Sequence, residues 1–69
     1  MINLTDRQTE VLNFIIQFRK DREYSPTFRE IADGMKFTVR VAVDYIAVLE
    51  KKGYITREKK LSRSIKVLN

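Results

Sequence analysis

Residues 27–55, TFREIADGMKFTVRVAVDYIAVLEKKGYI, crowd two helix starts and one enforced helix stop into a short stretch. Thr27-Phe28-Arg29-Glu30 has the Thr-x-x-Glu form of a capping box, where a hydroxyl and a carboxylate satisfy orphan backbone N–H groups at a helix start. A second helix opens at Thr38 and stops at Gly53, because glycine accepts the left-handed turn past a helix end without a Cβ penalty. Short helix, tight turn, longer helix is the helix-turn-helix pattern, whose second helix is shaped to enter a DNA major groove.

The flanking segments complete a three-helix unit with a hairpin. Thr5-Asp6-Arg7-Gln8 is a Thr-x-x-Gln capping box that opens helix one. Val11, Phe14, Ile15 and Phe18 recur at i, i+3, i+4 and i+7, so that stripe faces a core. Leu12 and Ile16 widen the arc and are expected under the hairpin or helix three; the other reading is a partner surface. The mixed run Arg19 to Glu23 reads as a solvated helix end and loop. Ser25, preceding Pro26, is pushed into extended backbone. Helix two covers 28–35 with Phe28, Ile31, Ala32 and Met35 inward, and Gly34 to Phe37 make the turn. Helix three covers 39–52 and buries Ala42, Tyr45, Ile46 and Leu49. Residues 54–57 and 63–68 alternate as two strands around a charged turn. The expected fold is mainly α with a small antiparallel hairpin, a winged helix-turn-helix, as one domain over residues 1–69.

Charge is distributed unevenly along this frame. Residues 1–50 carry seven basic and eight acidic side chains, whereas residues 51–69 carry seven basic ones against Glu58 alone. A positive field at one end of a small domain is the footprint of a polyanion partner; the plainer reading is a solvated basic tail. The 69 residues include no histidine and no cysteine. That removes the commonest general base, the commonest metal ligand, disulfides and thiolate metal sites, and it fits a cytoplasmic setting. No cofactor or metal is expected. Ser62 and Ser64 lie among lysines, but Ser–Lys chemistry needs a buried lysine of depressed pKa, so an enzyme is not expected. No apolar run approaches the roughly 20 residues that span a bilayer.

On helix three, Arg40, Val43, Asp44 and Ala47 are the candidates for base readout. Arg40 sits in the first turn, where side chains that reach base edges originate, and an arginine can donate twice to guanine. Val43 and Ala47 can touch thymine methyl groups, or form an apolar patch for a protein. Asp44 can accept from cytosine N4. Thr27 and Thr38, at helix N-termini that favour anions, are candidate phosphate contacts. So are Lys51, at the far end of helix three, and Arg57, Lys59, Lys60 and Arg63 of the hairpin. Double-stranded DNA is the expected partner, with a homodimer on a palindromic site. The rival expectation is a protein-binding module that pairs with another regulator and modulates its DNA binding.

Three stretches, Leu4-Thr5-Asp6-Arg7-Gln8-Thr9-Glu10-Val11-Leu12, Tyr24-Ser25-Pro26-Thr27-Phe28-Arg29-Glu30-Ile31-Ala32 and Leu49-Glu50-Lys51-Lys52-Gly53-Tyr54-Ile55, resemble the N-terminal DNA-binding domain of the LexA family of SOS-response repressors. Arg63-Ser64-Ile65-Lys66-Val67 is similar to that family's second wing strand. The resemblance implies sequence-specific duplex binding and repression of transcription at inverted repeats. That family continues into a self-cleaving, dimerising domain. Residue 69 falls where its linker would begin, so the chain is expected to be an excised domain or a stand-alone protein, and self-cleavage is not carried over. In the recognition helix, Thr38 and Ala42 match the family in kind but Arg40 and Val43 do not. The family's usual operator is therefore not implied.

Overall fold

The computed structural model describes residues 3–58, 60–61 and 63–68. Three helices, α1 (Asp6–Arg22), α2 (Phe28–Met35) and α3 (Val39–Lys51), precede two strands, β1 (Ile55–Thr56) and β2 (Lys66–Val67). The strands pair antiparallel in the register Ile55↔Val67 and Thr56↔Lys66. The fold is a winged helix-turn-helix, mostly helical, as the pattern predicts.

Each helix starts where a threonine supplies the acceptor. Thr5 and Thr27 form complete capping boxes with Gln8 and Glu30, and Thr38 Oγ1 accepts from the Val41 N–H at 3.2 Å. The stops are less uniform. Glu23 and Lys36 end α1 and α2 in the left-handed region at φ 64° and 63°, and Gly53 follows α3 at φ 86°. Gly34 lies inside α2, because the Phe14 ring packs against its backbone and a Cβ there would sit 2.2 Å from that ring. A lysine therefore makes the turn that glycine would make more cheaply.

The core is one apolar cluster: Val11, Leu12 and Ile15 from α1, Ile31 and Ala32 from α2, and Ala42, Ile46 and Leu49 from α3. Ile55 and Ile65 of the wing complete it. Phe37 closes the turn by stacking on Tyr45, with centroids 5.5 Å apart, and the Arg7 guanidinium lies over the Phe37 ring. Arg7 also donates to the Met35 carbonyl, tying α1 to the end of α2.

Four expectations change. Ile16 is exposed, because α2, α3 and the wing cover only the Val11–Leu12–Ile15 side of α1. Arg19 is not simply solvated; it is half-buried and donates to the Ile65 carbonyl. Helix three ends at Lys51, and Lys52 instead donates from Nζ to Asn3 O and Gln8 Oε1, fastening the N-terminal segment to α3. The strands are two residues each, shorter than the alternation suggests; ahead of β2, Arg63 at φ 55° breaks the extended backbone.

Candidate nucleic-acid interface

The burial of Ala42, Ile46 and Leu49 decides which face of α3 is left outward. Arg40, Asp44, Ala47 and Lys51 are exposed on it, and Val43 is half-buried at its margin. Spacings of four, three and four residues keep the exposed four on one helical stripe. Arg40 Nε lies 3.7 Å from Asp44 Oδ1, with the two side chains 86% and 66% exposed. A pair this open in water is worth a few tenths of a kcal/mol, so it orients Arg40 along the helix without withholding it from a ligand.

A cleft of about 380 Å³ opens between the start of α2 and the wing. Thr27, Phe28, Arg29, Arg57, Lys60, Leu61, Arg63, Ser64 and Ile65 line it. Four of the seven expected phosphate contacts thus meet around one concavity. Thr38 and Lys51 lie apart from it at the two ends of α3, and Lys59 falls outside the described residues. Thr27 and Thr38 use their Oγ lone pairs as caps, and each hydroxyl keeps its proton for an incoming oxygen. Arg29 also belongs to the cleft, and its only mark in the sequence is its position two residues after a helix N-cap.

The four cations of the cleft are not equivalent. Arg57 is largely buried, its guanidinium 5.3 Å from the Phe28 ring centroid and its Nε 3.4 Å from Glu50 Oε1. Arg63 donates to both oxygens of Glu30, at 2.8 and 3.0 Å, and to the Ser25 carbonyl at 3.3 Å, and it lies over the Tyr24 ring. Those hydrogen bonds, followed by that from the Thr27 N–H, hold the Glu30 carboxyl below its usual range. The two arginines expected on phosphates are thus already committed inside the molecule. Arg29 and Lys60 are exposed and enter no ion pair among the described residues. They supply the free positive charge of the cleft.

Known proteins are similar to this chain in sequence. Residues 1–64 match the family described as the LexA DNA-binding domain. The LexA repressor of Pseudothermotoga lettingae is 47% identical over 66 residues, which cover 96% of this chain and 32% of that protein. The LexA repressor of Thermosipho africanus is 48% identical over 68 residues, 99% of this chain and 34% of its own length. That of Leptospira interrogans is 43% identical over 68 residues, with the same two coverages. The chain spans about a third of the length of the curated relatives it matches. The match runs through all three helices and most of the wing, and on it the chain belongs to the LexA DNA-binding domain family.

Proposed function

We propose that this chain binds double-stranded DNA in a sequence-specific way and represses transcription by occluding a promoter. The observation that carries this reading is the outward stripe of α3, with Arg40 in its first turn free of the core, beside a cleft bearing Arg29 and Lys60, which pair with no acid among the described residues. Helix three enters the major groove. Arg40 donates to guanine, Val43 and Ala47 touch thymine methyl groups, and Asp44 accepts from cytosine. Thr27, Thr38, Arg29, Lys51, Lys60 and Lys59 hold phosphates, and their charge supplies the affinity that does not depend on sequence. A lone module of this size binds weakly, so a palindromic operator takes two copies with half-sites roughly 34–36 Å apart. Such a role places the chain in the cytoplasm. No helix among the described residues is long and apolar enough to cross a membrane.

The test is fluorescence anisotropy with a random-sequence duplex across a salt series, followed by operator selection. Duplex binding gives a log–log slope of about −0.9 per phosphate neutralised. Absence of binding at low salt overturns the reading. A search for a protein partner then follows, with Val43→Asp as the damaging substitution and Lys60→Ala neutral.

A further inference from the structure

The geometry points to Arg63 as a positioning residue: its clamp on Glu30 fixes the wing against the N-terminus of α2, so that helix two sets where the wing meets DNA. This inference rests on the duplex-binding reading, and it removes Arg63 from the phosphate contacts.

Among the described residues the returning arm is fastened from Ile65 onward, by core packing and by the Arg19 bond, and the stretch before Ile65 has fewer ties to the helices. The wing's sheet is two residue pairs long. Between the strands, Ser64 Oγ accepts from the Glu58 N–H at 3.0 Å, and its single proton faces the Glu58 and Leu61 carbonyls at 2.9 and 3.0 Å. Those bonds tie the loop to itself and leave its attitude to the helices open. Ile55, Ile65 and Arg57 anchor the base of the wing, and Arg19 holds the Ile65 carbonyl. Arg63 alone, among the described residues, joins the loop side of β2 to the segment 24–30. It does so through both Glu30 oxygens, the Ser25 carbonyl and the face of Tyr24. A paired fork of this kind fixes direction as well as distance.

Two further observations keep Arg63 where it is. Its backbone sits at φ 55°, a left-handed conformation that a residue with a Cβ keeps only when its surroundings over-determine it. And Glu30 Oε1 also accepts the Thr27 N–H at 2.9 Å, so the carboxylate cannot follow the arginine away. If Arg63 swung out to a phosphate, Glu30 would face the same polyanion uncompensated. The cost of breaking the clamp therefore rises as DNA approaches.

The experiment uses the full chain and the duplex described above, over a salt series, with Arg63→Gln, Glu30→Gln, the double variant and Arg63→Lys. Glutamine at position 30 keeps an acceptor for the Thr27 N–H, so the helix cap survives. For a clamp, both single variants weaken binding by a similar factor, roughly fivefold. The double variant is no weaker than the weaker single one, because the two residues are halves of one interaction. The salt slope stays that of the parent chain, and Arg63→Lys does not restore affinity, since an ammonium cannot make the fork. For a phosphate contact, Arg63→Gln lowers the slope by about 0.9 while Glu30→Gln leaves affinity unchanged or raises it, and that result overturns the inference. Hydrogen exchange of the Leu68 amide, which bonds to the Tyr54 carbonyl at 2.8 Å, separates the clamp from DNA binding altogether. Faster exchange in both single variants is expected even if the parent chain binds no duplex. Unchanged exchange overturns the clamp whether or not DNA binds.

Discussion

Helix three and the wing present side chains to the same proposed ligand, but opposite kinds of force hold them in place. Ala42, Ile46 and Leu49 are fully buried, so the attitude of α3 is fixed by apolar packing against α1 and α2. The wing contributes Ile55 and Ile65 to that core and is further held by Arg19 at the Ile65 carbonyl, by Arg57 beside Glu50 and Phe28, and by Arg63 beside Glu30 and Tyr24. Apolar burial offers no charge for salt to screen or for acid to neutralise, whereas partly exposed ion pairs are weakened by both. Helix three is therefore held by packing, and the wing partly by charge.

The sharpest way to break that contrast is to empty the core under α3. Leu49→Ala removes a fully buried side chain, and such truncations cost about 2–5 kcal/mol. In a 69-residue chain this is a large part of the total stability. A loss of that size, with the wing and α3 melting together in a thermal scan, is the expected outcome. Local loosening of the wing while α3 stays folded would show that the two regions are not built on one core.

Next in size is Arg40→Ala. Arg40 is 86% exposed and supports nothing in the fold beyond its open pair with Asp44, so the melting temperature should hold. Selected duplexes should lose their preference at one guanine, a change of about 1–3 kcal/mol in discrimination. Lys60→Ala should instead weaken binding to all duplexes evenly and reduce the salt slope by about 0.9. If the two variants behave alike, α3 is not reading bases.

The difference between the regions also separates what could be read from the sequence from what could not. Caps and stripes are local: Thr5, Thr27, Thr38 and Gly53 mark their own boundaries, and the period of Ala42, Ile46 and Leu49 marks its own buried face. The wing's fastenings are not local. Glu30 was legible as the partner of Thr27, three residues away, but its pairing with Arg63 spans 33 residues and leaves no periodic trace. A basic side chain on a hairpin looks the same in sequence whether it meets a phosphate or a carboxylate. Residue type alone therefore assigns Arg57 and Arg63 to phosphates and gives no reason to single out Arg29, although proximity around the cleft links all three. Ile16 escaped for a similar reason: its period is that of a core residue, and only the width of what packs on α1 leaves it exposed.

A smaller effect tests how α3 begins. Thr38 caps α3 without the reciprocal side-chain acceptor that Gln8 and Glu30 give α1 and α2, since Val41 stands at its third helical position. Thr38→Ala should cost about 1 kcal/mol of stability by urea titration. Replacement by serine or aspartate should restore it, because either supplies the acceptor. The aspartate variant should nonetheless bind duplex less well than the serine one, since it places a negative charge where a phosphate oxygen is expected. Equal binding by the two would remove Thr38 from the interface.

The smallest effect addresses the wing's sensitivity to acid. The Glu30 carboxyl is held below its ordinary value of 4.5, first by the hydrogen bonds from Arg63 and then by that from Thr27. A carboxyl whose pKa is lower folded than unfolded stabilises the native state above the unfolded value. That contribution is lost as pH falls through the folded value. Stability conferred by Glu30 is thus fully present at neutral pH and declines from about pH 4.5 downward. Both side chains retain a third or so of their exposure, 40% for Arg63 and 31% for Glu30, and solvent screening keeps the pair's contribution small. Glu30→Gln should lower the melting temperature modestly at pH 7 and flatten the decline between pH 5 and the acid limb in roughly that proportion, so that the two curves converge at low pH. Parallel curves would mean that another carboxylate carries the acid sensitivity. A variant more stable than the parent at pH 7 would mean that the pair holds the wing's position at a net cost to the fold, as partly desolvated ion pairs can.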